Sequence, residues 1–153
     1  MIVYDELKKF ENKKIRLYVD MDGVVADYEV GVAANYDQKR PLFSNLGKLE
    51  KLSHEPNIEL NILSVTRMNE GIVQKNFWLD KYAPFFEKDR RNILSREQFN
   101  LEKDAITLKY EFLRDLPRDD SQIVFIDDDP AILRKLNNEF NDILLLKDTT
   151  LID

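Results

Sequence analysis

Two aspartates, Asp20 and Asp22, follow an apolar run and stand directly before Gly23. The run Leu17-Tyr18-Val19 predicts a buried strand, and the glycine indicates a turn behind it. Carboxylates at the end of a buried strand lie where α/β sheets place their ligands. Because two nearby anions repel each other, a fold that keeps both is expected to hold a cation or a proton between them.

Further polar side chains follow other apolar runs. Asp127 and Asp128 come directly after the run 123–126, and Ser64 follows the run 58–63. In a parallel sheet the carboxyl ends of the strands share one edge, so residues far apart in sequence can converge there. We therefore expect Ser64 and both acidic groups to meet, with Lys109 on a later helix as a further candidate.

The elements that must position these residues alternate between strands and helices. Strands are predicted at 17–19, 58–63, 92–94, 123–126 and 143–146. Helices are predicted at 3–12, 42–52, 69–82, 101–116 and 130–140, with a helix or helical turn over 25–35 and a loop over 35–41. Asn69 is predicted as a helix N-cap, and Ser95 with Gln98 as a capping box. Continuous apolar strands between helices predict one three-layer α/β sandwich with a mostly parallel central sheet.

Composition restricts the class of protein. The chain has 153 residues, 43% of them hydrophobic, which suits a single domain over 1–153. Its 23 Lys+Arg against 29 Asp+Glu give a net charge of −6, which argues against nucleic acid and anionic membranes as partners. The absence of cysteine excludes disulfides and thiolate sites. No run approaches the roughly 18 apolar residues of a membrane span, so we expect a cytoplasmic protein. Homo-oligomerisation is left open.

The motifs resemble those of the haloacid dehalogenase (HAD) superfamily. Val-Asp-Met-Asp-Gly-Val-Val-Ala-Asp at 19–27 is similar to its motif I, and Ile-Leu-Ser at 62–64 is similar to motif II. A lysine on a later helix and an apolar strand that ends in Asp-Asp resemble motifs III and IV. The four occur in the superfamily's order. Together with Lys-Asn-Phe-Trp-Leu at 75–79, they look most like the 5′(3′)-deoxyribonucleotidase branch. The resemblance implies a HAD-like Rossmannoid fold with a small cap at about 28–41.

The resemblance also implies a metal site. Asp20, the backbone carbonyl of Asp22 and Asp127 would bind Mg²⁺, and Asp128 would hold a metal-bound water. The residue types agree with this independently, because a phosphomonoester is a dianion and an approaching carboxylate needs its charge offset. A set of oxygen ligands without Cys or His also favours Mg²⁺ over zinc.

Catalytic roles are implied in the same way. Asp20 would attack phosphorus and form an aspartyl-phosphate, and Asp22 would act as general acid and then base. Ser64 would donate a hydrogen bond to a phosphoryl oxygen, with Thr66 as its alternative. Lys109 would supply positive charge.

Two assignments stay open beside these roles, that of the lysine and that of Arg67. Lys103 and Lys75 are alternatives to Lys109. Gly23 belongs to the motif I turn, and Arg67 either contacts substrate or lies at the surface. The expected substrate is a small-molecule phosphate ester, with a (deoxy)nucleoside monophosphate favoured.

Other functions compete with this prediction. A small cap would also suit larger substrates, such as a 3′-phosphorylated nucleic-acid end or a phosphoprotein. A receiver-type signalling domain uses similar residues, but it carries its acidic pair first and its phosphoacceptor on a middle strand, the reverse of the order here. An inactive HAD relative that only binds would not need every expected acidic residue. Structurally, Asp-x-Asp-Gly can be a simple turn, and Asp127 to Asp129 can simply begin a helix.

Overall fold

The apolar runs of the sequence form the strands of one sheet. The structure is a computed structural model and describes residues 2–28 and 35–152. The strands are β1 (Ile15–Val19), β2 (Ile58–Thr66), β3 (Arg91–Ser95), β4 (Gln122–Asp127) and β5 (Ile143–Lys147). The helices are α1 (Ile2–Leu7), α2 (Phe43–Ser53), α3 (Asn69–Tyr82), α4 (Arg96–Phe99), α5 (Ala105–Asp115) and α6 (Pro130–Glu139). Short 3₁₀ turns cover Lys8–Phe10, Tyr36–Gln38, Lys88–Arg90 and Asp148–Leu151.

The five strands found in residues 2–28 and 35–152 are all parallel, in the order β3-β2-β1-β4-β5. From the central β1 the chain moves outward through β2 and β3, then returns to the other side of β1 for β4 and β5. The direction of winding therefore reverses between β1 and β4. In open α/β sheets the crevice at such a switch point, beyond the carboxyl ends of the strands, is the usual place for a ligand.

Helices cover both faces of the sheet. One core layer joins one set of strand side chains to α1, α2 and α3, and includes Leu17, Leu49 and Trp78. The other layer packs the alternate strand side chains against α5 and α6, and includes Phe125 and Leu113. Alternation along each strand sends successive side chains to opposite faces, which is why one sheet supports two cores. The predicted three-layer α/β sandwich is confirmed, and its sheet is entirely parallel.

Of the helix or helical turn predicted over 25–35, the structure describes residues 25–28 and 35, and these are not helical. The backbone N–H groups of Val24, Val25 and Ala26 all donate to the Met21 carbonyl, at 2.9–3.2 Å. Ala26 then forms an isolated bridge with Pro41. These contacts fold the chain into a tight turn instead of a helix. Residues 29–34 lie outside the described part of the chain, so the predicted cap at 28–41 stays a prediction. A 3₁₀ turn occupies part of the predicted loop 35–41.

Two predicted caps are also wrong. Met68, rather than Asn69, is the N-cap of α3, and the Asn69 N–H donates to the Glu97 carboxylate at 2.9 Å. Ser95 does precede α4, but its side chain makes no capping hydrogen bond, so the box with Gln98 does not form. In the first case a carboxylate from a neighbouring helix takes the capping role, which local sequence cannot reveal.

Among the helices that the structure describes, none combines the length and apolar character needed to cross a membrane.

Candidate active site

The switch point of the sheet brings the two acidic strand ends together. β1 and β4 are paired in register with Val19 opposite Ile126, and the Asp20 N–H donates to the Ile126 carbonyl at 3.0 Å. Asp20 and Asp127 are therefore neighbours on adjacent strands. Carboxylate oxygens of Asp20, Asp127 and Asp128 lie within 4.8 Å of one another. The convergence predicted from the sequence is present, and this trio can hold a metal ion.

Gly23 makes room for the third carboxylate. Its φ of +80° lies in the left-handed region that glycine adopts without strain. A Cβ on this residue would stand only 1.9 Å from Oδ2 of Asp128. The turn after β1 thus needs glycine for two reasons: its own backbone angle and the close approach of Asp128.

Lys109 lies between two of these carboxylates. Its Nζ is 3.1 Å from Oδ1 of Asp20 and 2.7 Å from Oδ2 of Asp127. Helix α5 brings it there, and that helix begins at Asp104, whose side chain accepts from the Thr107 N–H. The ammonium is almost fully buried, so it is a fixed charge of the site rather than a solvated helix lysine.

A second buried lysine lies on the other side of the site. Nζ of Lys75 donates to Oγ of Ser64 at 2.7 Å and to the Val65 carbonyl at 3.0 Å, and it lies 3.3 Å from Oδ2 of Asp22. From the sequence, Lys75 is predicted only as an alternative to Lys109. In the structure both lysines lie in the site, Lys75 beside Asp22 and Lys109 beside Asp20. Lys103 pairs with Glu111 at 2.8 Å. Ser64 is fully buried and bonded here, which favours it over Thr66.

Lys39 is a site residue that the sequence did not indicate. Its Nζ lies 2.5 Å from Oδ1 of Asp22, and it stands over the ring of Tyr36 at 4.7 Å from the centroid. The Lys39 carbonyl accepts a hydrogen bond from Nε1 of Trp78 at 3.0 Å. A lysine in a short connection has no periodicity to mark it, so only the tertiary contacts reveal it. By contrast Lys75 has a signal, because it occupies the apolar face of α3, three residues before Trp78.

Burial and charge divide the acidic residues into two groups. Burial raises the pKa of Asp20 to about 7, although Lys109 opposes the rise. Burial likewise raises the pKa of Asp127 and of Asp128 above the usual range. For Asp22, burial is outweighed by Lys75 and Lys39, which hold its pKa below the usual value. Burial therefore disfavours the charged forms of Asp20, Asp127 and Asp128, whereas two nearby lysines stabilise the charged form of Asp22.

The pKa values of the two buried lysines, Lys75 and Lys109, shift in opposite directions. Burial lowers the pKa of Lys75 despite the attraction of Asp22. For Lys109 the two carboxylates Asp20 and Asp127 outweigh burial and raise the pKa. Asp20 and Asp127 thus stabilise the charged form of Lys109, whereas for Lys75 burial outweighs the attraction of Asp22 and Asp20.

The acidic residues open into a cavity of about 350 Å³. It is lined by Asp20, Asp22, Tyr28, Asp127, Asp128, Asp129, Pro130 and Ile132. The Asp129 side chain accepts from the Ala131 N–H and caps α6, so the acidic run serves both as helix start and as cavity wall. The cavity has room for a phosphate-sized group beside the carboxylates.

Arg67, the remaining predicted residue, is exposed just after β2, and its backbone carbonyl accepts from the Glu97 N–H at 3.0 Å. The structure shows no contact between the Arg67 side chain and the other site residues within the described ranges, so a role in substrate contact stays a prediction.

No family model matches the chain. A chain in the solved structure of the Pnkp1/Rnl/Hen1 RNA repair complex is similar to it, with a TM-score of 0.66 and 16% sequence identity over 89% of this chain and 43% of that one. A stretch of 79 residues is 30% identical to small ribosomal subunit protein uS2 of Mycoplasma genitalium, covering 52% of this chain and 28% of that protein. The chain thus spans less than half the length of either relative. The structural likeness shows the α/β fold, and the chemistry has to be argued from the site itself.

Proposed function

We propose that this protein is an Mg²⁺-dependent phosphomonoester hydrolase of the HAD type, acting through an aspartyl-phosphate on Asp20. The observation that carries the proposal is the position of Asp20. Its carboxylate lies at the switch point of the sheet, beside the acidic partners Asp127 and Asp128 on one side and the Ser64–Lys75 pair on the other. The carboxylates proposed as nucleophile and metal ligands line one cavity, and Lys75, which is bonded to Ser64, acts electrostatically on Asp20.

The acidic trio fits a divalent cation. Three carboxylates have oxygens within 4.8 Å of one another, and the buried ammonium of Lys109 forms ion pairs with two of them, Asp20 and Asp127. Burial raises the pKa of all three carboxyl groups, so a bound cation would stabilise their charged forms. Oxygen donors suit Mg²⁺. Asp20, Asp127 and Asp128 would hold the ion, with the Asp22 backbone carbonyl as the further ligand that the resemblance implies. When bound, Mg²⁺ would offset the charge of the phosphoryl group.

The reaction can be balanced with this chain's own residues. A carboxylate oxygen of Asp20 forms a bond to phosphorus as the ester P–O bond breaks, and Asp22 gives a proton to the departing oxygen; Asp22 must enter this step protonated, a form that its lowered pKa disfavours in the free protein. Water then attacks the phosphorus of the aspartyl-phosphate, loses a proton to Asp22 and frees Asp20 with release of inorganic phosphate. Ser64 and Lys75 donate to phosphoryl oxygens. Lys109 orients the carboxylates of Asp20 and Asp127.

Two substrate classes deserve comparison. A (deoxy)nucleoside monophosphate is favoured by the resemblance of the motifs to the 5′(3′)-deoxyribonucleotidase branch. A 3′-phosphorylated nucleic-acid end is the second candidate, because the segment 28–41 is too short to form a separate domain over the site, and because the structural neighbour belongs to an RNA repair complex. The net charge of −6 counts against the second.

A signalling role agrees less well with the fold. Receiver-type domains arrange their strands in the order 2-1-3-4-5, whereas the order here is 3-2-1-4-5. The nucleophile also lies on the first strand rather than on a middle one. Both features favour an enzyme over a phospho-aspartate switch.

The test is release of inorganic phosphate from nucleoside monophosphates, a 3′-phosphorylated oligonucleotide and a phosphopeptide, each with Mg²⁺ or with EDTA. We expect turnover that needs Mg²⁺ and is abolished by Asp20→Asn. The matched control is Asp120→Asn, an exposed aspartate before β4 at the opposite edge of the sheet. Full activity of the Asp20→Asn protein would refute the proposed nucleophile, and absence of Mg²⁺-dependent turnover on every substrate would refute the hydrolase.

A further inference from the structure

The positive charges of the site are distributed unevenly. On the side of the acidic trio, one lysine, Lys109, lies between two carboxylates. On the other side two lysines share one carboxylate: Lys39 lies 2.5 Å from Oδ1 of Asp22, and Lys75 lies 3.3 Å from Oδ2. The side chain of Lys39 is 11% exposed and that of Lys75 is 5% exposed. Within the part of the chain that the structure describes, the close ion pairs of this corner thus join two lysines to one carboxylate, largely out of water.

Among the residues that the structure describes, the other close contacts of the two ammonium ions are with neutral groups, and the Asp20 carboxylate attracts Lys75 at longer range. Tyr36 lies beneath both, with its ring centroid 4.7 Å from Nζ of Lys39 and 5.2 Å from Nζ of Lys75. The ring of Tyr28, which lines the cavity, is 5.9 Å from Lys39. Ring faces attract cations, but they do not neutralise them. Because a desolvated charge is costly without a counter-ion, two lysines paired with one close carboxylate here indicate a site for an anion.

Lys39 is held in place by the fold. Nε1 of Trp78 donates to its backbone carbonyl at 3.0 Å, and the ring of Tyr36 packs edge-on against Trp78 with centroids 6.0 Å apart. Trp78 is buried in the same helix, α3, that carries Lys75. Helix α3 therefore positions both lysines. It carries Lys75 directly, and its Trp78 holds the backbone of Lys39.

We propose that Lys39 and Lys75 together form a binding site for a phosphoryl-type dianion, which makes Lys39 a substrate-binding residue. That the anion is the phosphate of a substrate rests on the proposed function; that an anion binds here rests on the two-lysine corner alone. The competing interpretation is that Lys39 only fixes the orientation of Asp22. The two differ in one measurable respect, since only the first makes equilibrium binding of an anion depend on the charge of Lys39.

The experiment measures binding of inorganic phosphate to the Mg²⁺-loaded protein by isothermal titration calorimetry. Trp78, the single tryptophan of the sequence, gives a parallel fluorescence signal because it is bonded to the Lys39 carbonyl. The variants are Lys39→Gln, which keeps a hydrogen-bond donor near Asp22 without the charge, and Lys39→Met, which keeps only the length. Lys51→Met, an exposed lysine in the last turn of α2, is the matched control.

We expect both Lys39 variants to raise the Kd for phosphate by about tenfold to a hundredfold, the usual value of a hydrogen bond to a charged group. Lys39→Arg should restore binding in part, and Lys51→Met should stay within about twofold of wild type. Unchanged melting temperatures identify the variants that are folded, and either one suffices for the comparison. Phosphate binding that is unchanged in a folded Lys39 variant, or absent from the wild-type protein, would overturn the inference.

The outcome is separable from that of the proposed function. Phosphate binding that depends on Lys39, in a protein that hydrolyses no phosphomonoester, would support the anion site and refute the hydrolase. Mg²⁺-dependent hydrolysis with a KM unaffected by Lys39→Gln and an unchanged phosphate Kd would support the hydrolase and refute the anion site.

Discussion

Replacing the Asp20 carboxylate by an amide should stabilise the metal-free protein while abolishing its chemistry. Asp20 is almost fully buried, and burial raises its pKa to about 7 from an ordinary 3.8. A carboxyl group whose pKa is higher in the folded than in the unfolded state binds its proton preferentially when folded. The free energy of unfolding therefore falls as the pH rises from about 4 to about 7, and the loss is complete above that range.

The magnitude follows from the same shift. A pKa of about 7 against 3.8 corresponds to on the order of 4 kcal/mol of lost stability above pH 7. Part of the gain in Asp20→Asn is offset, because Lys109 loses one of its two anionic partners and keeps only Asp127. We therefore expect Asp20→Asn to be more stable than wild type by about 2–4 kcal/mol at pH 8 and nearly equal to it at pH 4.

The assay is urea unfolding of both proteins in EDTA at several pH values, with Asp120→Asn as the control. The control should follow the wild-type curve at every pH. A destabilised Asp20→Asn protein at pH 8, or a difference in stability that does not change with pH, would show that the fold does not disfavour the charged form of the Asp20 carboxyl group.

Two further predictions concern the metal. Because burial raises the pKa of Asp20 to about 7, Mg²⁺ must displace a proton from Asp20 below that pH, and the Kd for Mg²⁺ should rise by up to about tenfold per pH unit as the pH falls. Calorimetry in buffers of different ionisation heat measures the number of protons released on binding. Binding of Mg²⁺ at pH 6 without proton release would contradict the prediction. Gly23→Ala places a Cβ 1.9 Å from Oδ2 of Asp128 at a φ of +80°, so it should cost about 1–3 kcal/mol in unfolding experiments and weaken Mg²⁺ binding by about tenfold or more. Gly47→Ala, within α2 and with no atom within 4 Å of the new Cβ, should be neutral or stabilising by up to about 1 kcal/mol; equal effects of the two substitutions would contradict the proposed role of Gly23.

Much of the fold is predictable because it rests on local patterns. Apolar runs bounded by turns predicted the five strands, and the spacing of apolar residues predicted α2, α5 and α6 within a few residues. The segment after β1 departs from the helix or helical turn predicted over 25–35, because three N–H groups converge on the Met21 carbonyl and Ala26 then pairs with Pro41. The bridge to Pro41, fifteen residues away, leaves no periodic trace in the sequence.

The acidic part of the site was easier to predict than its cationic part. Strand ends mark Asp20 and Asp127, because a parallel sheet brings its carboxyl ends to one edge. Lysines are abundant on helix surfaces, so their type alone does not separate Lys75 and Lys109 from Lys103. Burial separates them, and burial depends on how helices pack. To predict Lys39 as a site residue, one would need the position of the connection that carries it, and the hydrogen bond from Trp78 sets that position.

The central place of β1 has a consequence for how the protein can change over time. Strands β2 and β4 border β1 on both sides, so its amide protons should exchange with deuterium only when the whole domain unfolds. The backbone at Asp20, directly after β1, should therefore open only when the whole domain unfolds. Lys39, by contrast, lies in a connection outside the sheet, where residues can be replaced without disturbing a strand. Descendants of this chain can therefore acquire new ligands by altering that connection while the reacting carboxylate keeps its place.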